Sequence, residues 1–204
     1  MKACVLWTGG KDSCLAMLTA MEHGWEIGEL AIFVPSGPVS FHAHPLPMIQ
    51  SQAESLGLPL RLISIDEPYR EAYVKAFSEM ADVEAVVTGD IDLVDGHPNW
   101  VRECVLDAGG RLQVLTPLWG RDRLELLHDL VGRGIEARLS HVANEAIPES
   151  WLGRIIDDGL IEELRALRES CGVDPCGENG EYHTMVEWCP AFASRVTLAG
   201  HAEA

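Results

Sequence analysis

The sequence predicts an α/β protein whose parallel sheet is joined by crossover helices and followed by a smaller α+β portion. Three observations carry this. Short apolar runs alternate with stretches of helical period through the first half of the chain. A glycine-rich turn, TGGKDS at residues 8–13, links the first run to the first helical stretch. After Pro117 the alternation changes character, which places a boundary near 117–120, between residues 1–118 and 119–204.

Ala3 to Trp7 reads as a buried strand, and Leu15, Leu18 and Met21 set a helical period from Ser13 onwards. Ile27 to Val34 is strand-like, Pro47 to Leu56 is helical with Gly57 as its stop, and Leu60 to Ile65 is a strand. Tyr69 to Met80 is helical, Ala85 to Thr88 a strand, Trp100 to Ala108 helical, and Leu112 to Leu115 a short strand. Beyond the boundary, Arg123 to Val131 is helical, Glu136 to Val142 strand-like and Ile155 to Leu167 helical, while the tail from Tyr182 alternates weakly. Ligands of parallel sheets sit beyond the carboxyl ends of the strands. One rim therefore gathers the 8–13 turn, the Pro35 to His44 loop, and Gly89 with Asp90.

The 8–13 turn has the chemistry of an anion nest. Gly9 and Gly10 let backbone N–H groups approach a ligand, and the following helix N-terminus favours phosphate. Lys11 adds a charge, Thr8 and Ser13 add hydroxyls, and Asp12 is a candidate magnesium ligand. The spacing is not that of a Walker A loop, because Gly9, Gly10 and Lys11 are contiguous.

A second stretch, CGENGEYHT at 176–184, places Glu178, Asn179, Glu181, His183 and Thr184 around two glycines, a set able to orient an amine, an amide or a metal. Glu181 and His183 stand at strand spacing. His42 and His44 form an HxH pair on the rim, suited to a nucleotide or a metal; His97 lies in a polar loop. Arg102, on a helix near the rim, suits a phosphate or carboxylate, or equally a surface ion pair.

Composition narrows the classes. The 204 residues carry a net charge of −17, which disfavours broad contact with nucleic acid or anionic lipid and asks that any cations serving a phosphate be gathered locally. The six cysteines include no CxxC pair and follow no signal peptide, so reduced thiols and a cytoplasmic location are expected. Cys171 and Cys176 with His183 are poorly spaced for zinc. No apolar run approaches the length of a membrane span.

WTGGKDSCLA resembles the phosphate loop of the N-type ATP pyrophosphatases, Ser-Gly-Gly-x-Asp-Ser. Together with HPLPMIQSQAESLGLPL, VVTGDI, TPLWGRD, WLGR and CGENGEYHT, in this order over nearly the whole chain, it makes the sequence similar to the diphthine-ammonia ligase family. The resemblance implies a HUP-type nucleotide-binding domain with a five-stranded parallel sheet and helices on both faces, then a small family-specific domain. It implies ATP and Mg2+, cleavage of ATP to AMP and pyrophosphate, and amidation of a carboxylate with ammonium. The archetypal acceptor is diphthine on elongation factor 2, and a homodimer is implied as well. Carried over by position, Thr8, Gly9, Gly10, Lys11, Asp12 and Ser13 would hold the pyrophosphate end of ATP and its magnesium. Glu178, Gly180, Glu181, His183 and Thr184 would face the acceptor, with Glu178 or Glu181 orienting ammonium or taking its proton, and His183 and Asn179 holding the acceptor.

Two departures stand out. Thr8 replaces the first serine and keeps its hydroxyl. GDIDLVDGHPNWVREC and DPCGENGEYHT look more like the bacterial branch, and bacteria make no diphthamide, so an acceptor other than diphthine is open. The length leaves no room for a glutaminase, which points to free ammonium. Rival expectations are a tRNA-modifying relative, an ATP-sensing module and a simple nucleotide hydrolase; the charge opposes the first, and the second acidic cluster is superfluous to a sensor.

Overall fold

The computed structural model describes residues 1–36, 45–93 and 99–197. Five strands, β1 (Lys2–Leu6), β2 (Glu26–Pro35), β3 (Leu60–Ile65), β4 (Ala85–Val87) and β5 (Gln113–Leu115), form one parallel sheet in the order β3-β2-β1-β4-β5. The chain builds outward from β1 to β3, then returns across it to β4 and β5. The order thus reverses between β1 and β4, and a crevice opens at their carboxyl ends.

Both faces of the sheet are covered, because side chains alternate along each strand. Ala3, Val5, Leu30 and Ile32 pack with α1 (Lys11–Glu22) and α2 (Leu46–Leu56) in one core. Cys4, Ala31 and Val86 pack with α3 (Tyr69–Glu79) and α4 (Trp100–Asp107) in a second. Helix α1 starts two residues earlier than its apolar period indicates, with Gly10 as N-cap, so Lys11 and Asp12 lie in its first turn and not in the preceding loop. Its buried face is also broader: Cys14, Leu15, Ala16, Met17 and Ala20 are inside, whereas Met21 is 44 % exposed.

The remainder comprises α5 (Arg123–Gly132), β6 (Glu136–Val142), a short 3-10 turn at Glu149–Trp151, α6 (Asp158–Cys171) and β7 (Tyr182–Trp188). Strand β7 pairs antiparallel with β6 and is buried along most of its length. Helix α6 is capped by Asp157, which accepts from Leu160 N, so it begins later than the Ile155 of the sequence reading; Ile155 instead bridges Arg138 of β6. The α1/α2 core runs without a break into Leu126, Leu130, Ala137, Leu160, Met185 and Val186 of this second portion. No described helix is long and apolar enough to cross a membrane.

Candidate active site

A cleft of about 760 Å³ opens at the β1/β4 crevice, within the range of roughly 300–1,000 Å³ typical of small-molecule sites. Thr8, Asp12 and Ser13 form one wall, Thr88, Gly89, Asp90 and Asp92 a second, and Ala31, Ile32, Phe33, Tyr73 and Trp100 an apolar end. Glu178 closes the cleft from the 174–181 loop.

The 8–13 corner is held by its own hydroxyls. Ser13 Oγ donates to the Gly10 carbonyl (3.1 Å), which leaves Thr8 Oγ1 as donor to Ser13 Oγ (3.2 Å) and acceptor from Gly10 N (3.3 Å). An α-helix leaves its first N–H groups without helical partners. Thr184 Oγ1 accepts from that of Lys11 (3.1 Å), which leaves those of Asp12 and Ser13, both residues on the cleft wall. Gly89 is required beside them: a Cβ there would lie 2.7 Å from Asp12 C and 2.8 Å from Ser13 N.

Lys11 departs from its expected place. It is 4 % exposed and does not line the cleft; its ammonium runs back to Asp12 Oδ2 (2.8 Å) and the Cys176 carbonyl, 5.4 Å from the centre of the Tyr182 ring. Burial is the largest single influence and opposes the charge, but the Asp12 carboxylate together with Tyr182 and Cys176 outweighs it and holds the Lys11 pKa above its ordinary value. As the first residue of α1, Lys11 meets the loop before β7, and there its charge ties the two portions of the chain together.

The cleft wall carries five carboxylates, Asp12, Asp90, Asp92, Glu103 and Glu178, and no lysine, arginine or histidine among the described residues. Burial raises the Asp90 carboxyl; hydrogen bonds from Thr88 and Asn99 work against this, and Asp12 adds to it. Glu178, open to solvent on one side but crowded by protein on the other and repelled by Asp12, has its carboxyl pushed up to about 7, with Lys11 and Arg123 pulling the other way. This imbalance suits a cation. Among the described residues no cluster of three or more metal-ligating side chains exists, and Mg2+ asks for none, since one or two carboxylates and substrate phosphates suffice.

The other expected site residues divide. Glu181 is buried, and its carboxylate accepts from Asp174 N (2.9 Å), Asn179 N (2.9 Å) and Asn179 Nδ2 (3.1 Å), so it organises the 174–181 loop and does not face the cleft. Thr184 is buried as the cap of α1. Asn179 lines a neighbouring pocket with Arg121, Arg123 and Arg168, and Gly180 is exposed beside it. His183 stacks on His141 across β6 and β7 (5.8 Å between rings), its pKa lowered by burial, His141 and Lys11. Arg102 is exposed, outside the cleft, with Nη2 3.4 Å from Thr116 Oγ1. Gly9 and Gly10 shape the corner from behind. Cys171 and Cys176 bond separate carbonyls, of Leu167 and Arg123. His42, His44 and His97 lie outside the described residues.

Several contributors escape the sequence reading. Phe33 stacks on Tyr73 (3.9 Å, 18°), and Trp100 meets Tyr73 edge-on. Asn99 caps α4 by accepting from Arg102 N (2.8 Å) and donates to Asp90; an asparagine just before the apolar Trp100-Val101 pair was a legible N-cap signal. Gln52 is wholly buried behind Gly9, a polar residue on the buried face of α2.

Comparison with known proteins agrees with this architecture. Residues 1–110 match the family model of the diphthamide synthase N-terminal domain, and residues 122–203 that of the diphthamide synthase C-terminal domain. The chain is 31% identical to a diphthine--ammonia ligase of Danio rerio over 97% of its own length and 86% of that protein's, and 30% identical to the human one, with 97% and 83% covered. A Schizosaccharomyces pombe diphthine--ammonia ligase is 30% identical over 97% of the chain, which spans only 36% of that longer protein. Among solved structures, a predicted subunit of tRNA methyltransferase from Methanocaldococcus jannaschii shares the fold, with a TM-score of 0.51 and 17% identity over 93% of this chain and 98% of that one. The chain belongs to the diphthamide synthase family.

Proposed function

We propose that this protein is an ATP-dependent carboxylate-ammonia ligase that cleaves ATP to AMP and pyrophosphate. The observation that carries the reading is the pairing, across one cleft, of the α1 N-terminal corner with Glu178, whose carboxyl titrates near neutrality. In this reading residues 1–118 hold the nucleotide and residues 119–204 present the acceptor. The purine lies toward the apolar end, by Phe33 and Tyr73. The pyrophosphate end meets Thr8, Ser13 and the α1 N–H groups, which favour anions. Asp12 would hold Mg2+ together with the phosphates, with Asp90 lining the same cleft, and the ion would supply the positive charge that the cleft wall lacks.

The acceptor carboxylate attacks the α-phosphorus, the bond to the bridging oxygen breaks, and pyrophosphate leaves from the α1 corner. Ammonium gives a proton to the Glu178 carboxylate and attacks the acyl carbon as ammonia; the added nitrogen gives up a second proton to the departing AMP phosphate as the C–O bond to AMP breaks, and the amide forms. Catalysis here consists of positioning and charge stabilisation, with no covalent enzyme intermediate. Lys11 acts from behind, through Asp12 and the 174–178 loop. The relatives' name points to diphthine and ammonia as the substrates; the cleft itself asks for a carboxylate and an ammonium. A cytoplasmic homodimer remains the family-based proposal.

The test is incubation with Mg-ATP labelled at the α-phosphate, ammonium, and either diphthine-bearing elongation factor 2 or a metabolite pool. AMP that depends on both the acceptor and ammonium is expected. ADP as product, or tight ATP binding without AMP in any mixture, contradicts the reading.

A further inference from the structure

Among the described residues, Gln52 offers the one primary amide that is wholly buried, and it sits directly behind the 8–13 corner. Its Nε2 donates to the carbonyls of Gly9 (3.0 Å) and Val186 (2.7 Å), and its Oε1 accepts from Trp7 Nε1 (2.9 Å). The side chain has one orientation that satisfies this ring of partners, since two carbonyls require donors and the indole requires an acceptor. The three partners belong to three different places: the end of β1, the turn that follows it, and β7.

We propose that Gln52 is a positioning residue that fixes the Gly9-Gly10 peptide for phosphate binding. The Gly9 carbonyl is held at the back of the corner by two donors, Gln52 Nε2 and Val186 N (2.9 Å). In a trans peptide the C=O and the following N–H point opposite ways. Pinning the carbonyl behind therefore turns Gly10 N–H forward, where it meets Thr8 Oγ1 on the cleft wall. Gly9 has φ +78°, a region in which glycine turns freely, so its own conformation does not prevent the peptide from rotating. A rotated peptide would aim a carbonyl oxygen at the phosphates and repel them. The fit is close: a Cβ on Gly9 would lie 2.6 Å from Gln52 Oε1.

The inference rests on the reading of the 8–13 corner as a phosphate site, and its test separates the two. Dissociation constants for α,β-methylene-ATP with Mg2+ and for adenosine, which carries no phosphate, are measured on the whole chain for wild type, Gln52→Glu and Gln52→Leu. Glutamate keeps the shape and the acceptor for Trp7 but loses the donors; leucine keeps the fold if glutamate does not. Ser55→Ala serves as a structural control. Ser55 lies one turn along α2, and its hydroxyl donates to the Ser194 carbonyl (2.6 Å) and accepts from Ser194 N (3.0 Å), far from the corner in the network.

The Gln52 variants are expected to bind α,β-methylene-ATP about tenfold more weakly, the scale of one lost buried hydrogen bond, with adenosine affinity unchanged. Ser55→Ala is expected to lower thermal stability and leave both affinities as in wild type. Unchanged α,β-methylene-ATP affinity in folded Gln52 variants, or equal losses for both ligands, overturns the inference alone. A wild type that binds adenosine but gains nothing from the phosphates overturns the phosphate-site reading and the inference with it.

Discussion

Lys11 and Asp12 are neighbours in sequence with opposite fates: the aspartate stands on the cleft wall and the lysine is buried behind it. Replacing Lys11 by methionine leaves the Cys176 carbonyl without its donor and Asp12 without its cation. The expected loss is about 2 kcal/mol of unfolding free energy in urea, before any nucleotide is added. Glu178 titrates in the working range. Below pH 7 its carboxyl is largely protonated and cannot take a proton from ammonium; above it the carboxylate is free. The amidation rate is therefore expected to rise with pH through about 7, and Glu178→Gln to abolish this limb and lower the rate by about a hundredfold. A Glu178→Gln profile that keeps the limb contradicts the assignment. Glu181 was an equal candidate by sequence, and nothing in GENGE separates the two acids. What separates them is that three N–H groups converge on Glu181 and, among the described residues, none on Glu178, a product of the loop's fold.

At the level of elements, helix α1 takes its cap from a distant strand. Gly10 has no side chain to serve, and Thr184 of β7 supplies the oxygen. Thr184→Val is expected to cost about 1 kcal/mol in thermal unfolding, and Thr184→Ser to restore it. The five strands and their crossover helices were legible because apolar runs and helical periods alternate cleanly up to Leu115. The glycine-rich corner was legible because glycine, hydroxyl and acid stand together. The role of β7 was not, because its alternation is blurred by burial on both sides: Tyr182, Thr184, Met185, Val186 and Glu187 are all inside. Gln52 left a faint trace, a polar residue at a core position of α2 beside Met48, Ile49 and Ala53. Helix starts shifted for a local reason: Gly10 and Asp157 cap, while the apolar period locates only the buried face.

Over the whole molecule, the acidic balance of the chain is reproduced on its cleft wall, and the nearest cations stand behind that wall in ion pairs. Arg123, for example, bridges Asp174 and the cleft-wall Asp92 between the two portions. Because the α1/α2 core continues into α5, α6, β6 and β7, the chain is expected to unfold in one calorimetric transition with matching van't Hoff and calorimetric enthalpies; two separate transitions would contradict a shared core. The central claim is that the crevice between β1 and β4 is the nucleotide site. A crystal structure with Mg2+ and α,β-methylene-ATP tests it most directly. The account predicts the terminal phosphates at the Thr8–Ser13 corner, Mg2+ on Asp12, and the α-phosphate facing Glu178. Nucleotide seated in the Arg121, Arg123 and Arg168 pocket, or phosphates turned away from the α1 N-terminus, would contradict it.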